Sequence, residues 1–302
     1  MTAFRGLIAL LFITGFIANA DSVQAAEYRI LFVPEPAAQR GSPTVDTLQA
    51  QALFTLPPSD YSASNYLKSQ ISYTIIVVDW FTGWVVPDAY IWLTLAAYPN
   101  GGGHDHHDSG RPKGEYDRYE GSTGSDGWQF QVTYTAPEVS GTVETRGTCT
   151  SQYGICYGGT FTTDVKIAGL APMPNGLNYD LVGSWGMPGV SSQHASNHHA
   201  APSFIGKLVY LADLYYLQYL AKLKYNDISL QWGGLFDIDN NWQPRPWGHW
   251  EHRKGISVDV DYAYVPAARR KKVLDFLKDA GIDGVTTEHA THWHFREYGS
   301  TN

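Results

Sequence analysis

The chain has 302 residues, 43% of them hydrophobic and 17% charged, with a formal net charge of -8. That length suits two domains with cores of their own, and the composition is that of a globular protein, not a disordered one. The acidic balance argues against a nucleic-acid partner, whose phosphates need a basic face. Aromatic residues make up 14%, including 10 Trp and 20 Tyr, rings that serve either in a core or as surface platforms for sugars and peptides.

Residues 1–25 read as an export signal. Arg5 supplies the positive start and Leu7 to Ile17 the apolar run; Ala18-Asn19-Ala20 fits a small-x-small cleavage site, with Val23-Gln24-Ala25 as a second one. The run is too short for a comfortable bilayer span, and no later stretch is long and apolar enough. The expectation is therefore an exported protein, periplasmic or extracellular, with no integral membrane segment after signal cleavage.

Residues 26–170 read as a β-domain. Strands are expected at Tyr73–Asp79, Ala89–Leu95, Trp128–Thr135, Thr142–Thr148 and Thr160–Ala168, with turns at Asp79–Gly83 and Pro99–Gly103. Short strands with regular turn signals and no helical period predict an all-β sandwich. The stretch Val77-Val78-Asp79 through Ala89-Tyr90-Ile91-Trp92-Leu93 resembles the opening strands of bacterial Ig-like domains. The chain's two cysteines, Cys149 and Cys156, are closely spaced with no Cys or His nearby to complete a zinc site, which predicts a local disulfide in an oxidising compartment.

The Pro- and Gly-rich stretch Ala171–Gly176 marks a boundary, and residues 171–302 read as α+β with a small antiparallel sheet. Apolar spacing predicts helices over Ser203–Tyr225 and Pro266–Ala280, the second with Pro in its first turn and Gly281 as its stop. Strands are expected at Ile256–Asp261 and Thr291–Arg296.

These two strands carry the chemistry. Alternation puts Ser257, Asp259 and Asp261 on one face and Val258 and Val260 on the other. It likewise puts His292 and His294 on one face, with Trp293 and Phe295 turned away. His252 precedes the first strand, and Gly255 lets the chain turn between them. Catalytic zinc takes three protein N and O donors, and His252, Asp259 and His294 form such a set, pointing to hydrolysis by metal-activated water. His289 or Glu288 stands ready to accept a proton, and His292 to steady a developing oxyanion.

With these residues the chain resembles the zinc peptidases that include penicillin-insensitive murein endopeptidases, D-Ala-D-Ala peptidases and the zinc fold of Hedgehog signalling domains. His252 to Asp259 fits the group's His-x6-Asp. Gly248, His249, His252, Gly255, Asp259 and Asp261 follow the murein endopeptidase pattern "G-H-x-x-H-x-x-G-x-x-x-D-x-D", and His289, His292 and His294 follow "H-x-x-H-x-H". The resemblance covers roughly the last quarter of the chain. It implies zinc on His252, Asp259 and His294, with His289 and His292 catalytic or substrate-stabilising. Thr291 stands where the carboxypeptidase branch has an acid and Trp250 where it often has Ser, whereas Glu288 fits a Hedgehog-like Glu-x3-His-x-His. The expected activity is an exported zinc metallopeptidase acting on peptide substrates, in particular peptidoglycan stem peptides. The alternative is a zinc-stabilised cell-surface binding or adhesion module without turnover.

Other polar clusters read as less directed. Tyr225–Gly234 forms either a wall of the cleft or a plain turn. His194, Asn197, His198 and His199 fall in what reads as a solvated loop, and so do Asp105, His106, His107, Asp108 and His104. Arg245 and Arg253 can hold a peptide carboxylate or lie on the surface.

Overall fold

The structure is a computed structural model that describes residues 27–34, 53–59, 68–98, 101–104, 109–150, 155–189, 192–243, 251–288 and 292–297. The signal and its cleavage sites, Asp105 to Asp108, Arg245, His249, Trp250, His289 and Thr291 lie outside these residues.

Two five-stranded sheets form the first module. One contains, in order, β5 (Glu115–Tyr116), β7 (Phe130–Thr135), β3 (Gln70–Asp79), β1 (Glu27–Pro34) and β9 (Ile155–Tyr157). The other runs β2 (Leu53–Leu56), β10 (Gly159–Val165), β8 (Gly141–Thr150), β4 (Tyr90–Ala97) and β6 (Glu120–Ser122). Pairing is antiparallel except for β1 with β9 and β10 with β2. Alternation is visible in β4, where Ile91, Leu93 and Leu95 are buried and Tyr90, Trp92 and Thr94 face out. Those residues join Val143 and Phe161 of their own sheet and Tyr73, Ile75, Phe130 and Val132 of the other in one core, the mark of a β-sandwich. Each such side chain contributes on the order of 1.5–3 kcal/mol by leaving water. Cys149 and Cys156 are disulfide-bonded, with Cα atoms 5.5 Å apart, and tie β8 of one sheet to β9 of the other.

The second module is built on a sheet ordered β12 (Tyr179–Leu181), β14 (Leu223–Tyr225), β15 (Ser257–Asp261), β17 (His292–Arg296) and β16 (Gly284–Glu288). It is mixed rather than purely antiparallel, because β12 runs parallel to β14. Helices α1 (Pro202–Tyr219) and α2 (Ala267–Asp279) cover one face. The first helix ends six residues earlier than its apolar pattern predicts. Leu220 turns left-handed at φ 51°, and Leu223 and Tyr225 then serve β14. Phe204, Leu208, Leu211, Val273 and Phe276 pack from the helices onto Val258, Val260, Trp293 and Phe295. No helix among the described residues is long and apolar enough to cross a membrane.

Ala171 and Pro172 belong to a short strand, β11, paired with β13 (His199–Ala200), so the expected boundary is itself part of the second module's structure. Segment 230–242 docks that module onto the sandwich. Trp232 N–H donates to the Gly102 carbonyl (3.1 Å), Leu235 N–H to Glu138 (2.8 Å), and the Trp242 indole to Ser109 (3.0 Å). Val139, Leu235 and Trp242 make a small apolar core at this seam. Gly103 has φ +96° and sits so close to segment 230–242 that a Cβ would lie 2.8 Å from the Gln231 nitrogen. Only glycine fits there. Arg253, buried at 4% exposure, pairs with Glu138 across the same seam at 2.6 Å, which corrects its surface placement.

Candidate metal centres

The face of the second sheet opposite the helices carries the polar residues. In the β15–β17 register Asp259 lies directly across from His294 and Asp261 across from His292. Cross-strand partners on one face have Cβ atoms about 5 Å apart, so two segments 35 residues apart in sequence meet through backbone pairing alone. The third donor arrives on a 3₁₀ turn, Glu251–Lys254, which ends at Gly255 with φ +65°. A Cβ on Gly255 would stand 2.6 Å from Leu170 Cδ2 and 3.0 Å from Ala200 Cα, so the turn is pressed against its surroundings and His252 is delivered inward.

His252, Asp259 and His294 each offer a ligand atom within 4.8 Å of the others, and all three are buried. His252 Nε2 lies 3.4 Å from Asp259 Oδ1, and His294 Nδ1 lies 2.8 Å from the same oxygen. With bonds of ~2.0 Å, neighbouring donors on a tetrahedral zinc are about 3.3 Å apart, so the His252 separation matches the edge of such a site, whereas the His294 pair is drawn in to hydrogen-bond length. The remaining ring nitrogens are committed elsewhere. His252 Nδ1 donates to the Ile228 carbonyl at 2.7 Å, leaving Nε2 for an ion. His294 Nε2 faces Glu251 Oε2 at 2.7 Å, so Nδ1, hydrogen-bonded to Asp259 here, is the nitrogen turned towards the other donors. Partners of this kind set the tautomer and orientation of a ligating histidine.

Asp259 is further tied to the segment after β14: its N–H donates to the Asp227 carbonyl (2.9 Å), and its carbonyl accepts from Asn226 N–H (2.8 Å). The Asp227 carboxylate accepts from Asn197 Nδ2 at 2.5 Å. Residues 225–230 thus form a wall behind the donors. Burial pushes the Asp259 carboxyl up, but His252 and His294 outweigh it and hold the carboxyl well below its usual range. Burial likewise pushes His294 down, yet Asp259 and Glu251 together raise it to about 9.

His292 is the more open neighbour, with Nε2 3.5 Å from Asp259 Oδ2. Glu288 closes β16 opposite Trp293, its side chain outside the described part. His289 lies outside altogether, so the structure brings together three of the six sequence-predicted site residues as one donor set, with His292 beside them. Glu251 is absent from the sequence reading. Its signal was only its place next to His252, since what matters is the tertiary contact with His294.

A second cluster departs more from expectation. His104, His194 and Asp237 also offer three ligand atoms within 4.8 Å of one another, all fully buried. His104 and His194 are therefore buried, not solvated as the sequence suggested. The seam excludes water from His104, and segment 226–238 covers His194, Asn197 and His198. Burial lowers the His104 imidazole to about 4 despite the opposing pull of Asp237. The Phe236 ring lies 5.7 Å from His194 and 5.7 Å from His252, in contact with both clusters. Either cluster has the chemistry to hold a metal ion.

No known family profile matches the chain, and no curated protein matches it. Among solved structures, an ASH / PapD-like domain of human CEP192 (PapD-like domain 7) is similar with a TM-score of 0.29 and 12% identity, covering 51% of this chain and 94% of that one.

Proposed function

We propose that the protein is an exported zinc metallopeptidase that hydrolyses peptide bonds, with the stem peptides of peptidoglycan cross-links as its substrate. The observation that carries this reading is the donor set itself. One nitrogen from each of His252 and His294 converges on Asp259 Oδ1, while the Ile228 carbonyl and Glu251 face the other two nitrogens. The murein endopeptidase-like spacing of the same residues supports it. A zinc ion held by these three donors supplies an acidified water and a Lewis acid for the scissile carbonyl.

The remaining roles fall to side chains of the chain. Glu288 or His289, which precede the His292 strand in sequence, accepts the proton. His292, partly open to solvent beside Asp259, donates to the carbonyl oxygen as it gains charge. Such an oxyanion contact is worth about 3–4 kcal/mol in comparable sites. Glu251 acts as a positioning residue through His294.

The test is digestion of purified peptidoglycan with and without chelator, the released muropeptides being identified by mass spectrometry beside a His294→Ala variant. Chelator-sensitive release of peptide-cleaved fragments, lost in the variant, is the expected result. A metal-loaded, folded protein that cuts no peptide or amide bond overturns the reading. That outcome would favour the zinc-stabilised binding module, for which Trp80, Phe81 and Trp84, exposed on the sandwich, offer a contact platform.

A further inference from the structure

We propose that His104, His194 and Asp237 form a second metal site, structural rather than catalytic, that staples the β-sandwich to the second module through a divalent transition-metal ion. The argument begins with the repetition of one geometry. In the first cluster one imidazole approaches the aspartate Oδ1 through Nδ1 and the other through Nε2, with the rings edge-to-face at 4.8 Å and 80°. In the second, His104 approaches Asp237 Oδ1 through Nδ1 at 3.1 Å and His194 through Nε2 at 3.2 Å, with the rings edge-to-face at 5.3 Å and 85°; His194 Nε2 also donates to the Asp237 carbonyl at 3.0 Å, a bond that ligation through this nitrogen replaces. Both separations lie within a few tenths of an ångström of the ~3.3 Å edge of a tetrahedral zinc site.

The surroundings complete a metal-ligand environment. Asp237 Oδ2 accepts the Trp242 N–H at 2.8 Å, which turns Oδ1 towards the two rings, the arrangement that orients a ligating carboxylate. Phe236 and Trp242 pack against the histidines at 5.7 and 5.2 Å and give the pocket apolar walls. The buried Asp237 carboxylate is held by the Trp242 N–H and the two imidazoles, and an ion between it and those rings adds a compensating charge to that set. Two imidazoles and one carboxylate suit zinc or a neighbouring first-row ion better than magnesium or calcium, which prefer all-oxygen sites.

The structural role follows from where the donors originate. His104 comes from the loop after β4 of the sandwich, whereas His194 and Asp237 come from the second module. An ion shared among them cross-links the modules beside the Val139–Leu235–Trp242 core. The complete burial of all three residues separates this site from the first, where His292 opens to solvent, and leaves a substrate no access. The two clusters share no ligand, so this is not a bridged two-metal centre.

Metal content of the full chain tests the proposal: wild type, His104→Asn and His294→Asn are purified without chelator and assayed by elemental mass spectrometry. Two equivalents in wild type and one in each variant are expected, with peptidase activity retained by His104→Asn at low temperature. Chelation of the His294→Asn protein should then lower its Tm by several degrees, since the remaining ion binds the folded state alone. One equivalent that His104→Asn loses and His294→Asn keeps supports the staple while removing the catalytic reading. One equivalent that His104→Asn keeps and His294→Asn loses overturns the staple and leaves a hydrogen-bonded latch. No metal in wild type overturns both. Should His104→Asn fail to fold, anomalous diffraction at the zinc edge from wild-type crystals decides the matter: no peak at Asp237 Oδ1 refutes the proposal.

Discussion

Replacing Glu251 with Gln examines how the first cluster prepares His294. The glutamate faces His294 Nε2 through Oε2 at 2.7 Å and Arg296 Nη1 through Oε1 at 2.5 Å. Glutamine keeps the volume but removes the charge and one of the two acceptor oxygens; with the remaining oxygen on Arg296, the imidazole loses the acceptor that holds its proton on Nε2 and its lone pair on Nδ1. Loss of a carboxylate behind a ligating histidine costs about 10- to 100-fold in metal affinity, or about 1.4–2.7 kcal/mol. The Glu251 side chain is 33% exposed, so its pair with Arg296 contributes at most about 1 kcal/mol to folding, and the variant should remain folded. Competition of the metal-free protein against a chromophoric zinc chelator gives the affinity directly. Zinc should bind the first cluster about 10- to 100-fold more weakly in Glu251→Gln, while His294→Ala abolishes binding there. An unchanged affinity in Glu251→Gln beside a complete loss in His294→Ala would refute the assignment of Nδ1 as the ligating atom.

Three further expectations concern stability. Burial lowers His198 from 6.5 to about 4, so the unfolded chain takes up a proton that the fold resists. Its contribution is full above pH 6.5 and falls as the pH drops towards 4, by about 3 kcal/mol at most; urea unfolding at pH 7 and pH 4.5 should show a smaller drop in His198→Gln than in wild type, and equal drops would count against it. Gly255→Ala combines a left-handed φ of +65° with a Cβ 2.6 Å from Leu170 Cδ2, and should lose about 2–4 kcal/mol in chemical denaturation. The Cys149–Cys156 loop spans a sequence separation of 7, for which loop-closure entropy gives about 2.5 kcal/mol; the double Ser variant should unfold at correspondingly lower denaturant, and an unchanged midpoint would show the sandwich indifferent to the bond.

Much of the architecture was written in local patterns. Period-two alternation in β4 and in the 257–261 and 292–296 strands needs only the pleat to assign faces, so Val258, Val260, Trp293 and Phe295 fall to the core and Asp259 and His294 to the opposite side. The two cysteines, with no other Cys or His close by, similarly left little besides a disulfide. The helical pattern of Ser203–Tyr225 misled at its end, because Leu223 and Tyr225 are apolar for the sake of a strand, and apolar identity alone does not distinguish the two uses.

The limits of the sequence follow from distance along the chain. His252, Asp259 and His294 were legible because two of them sit on adjacent strands and the third one turn before, so short-range geometry and strand pairing suffice to join them. Glu251 could be assigned no role, since its contact with His294 depends on how a 3₁₀ turn is seated. His104, His194 and Asp237 come from three separate loops, each polar and unremarkable on its own. Nothing local marks those three residues as buried. Only the docking of segment 230–242 onto the sandwich, through Gly103, Glu138 and Trp242, excludes water from them and turns three scattered side chains into one cluster.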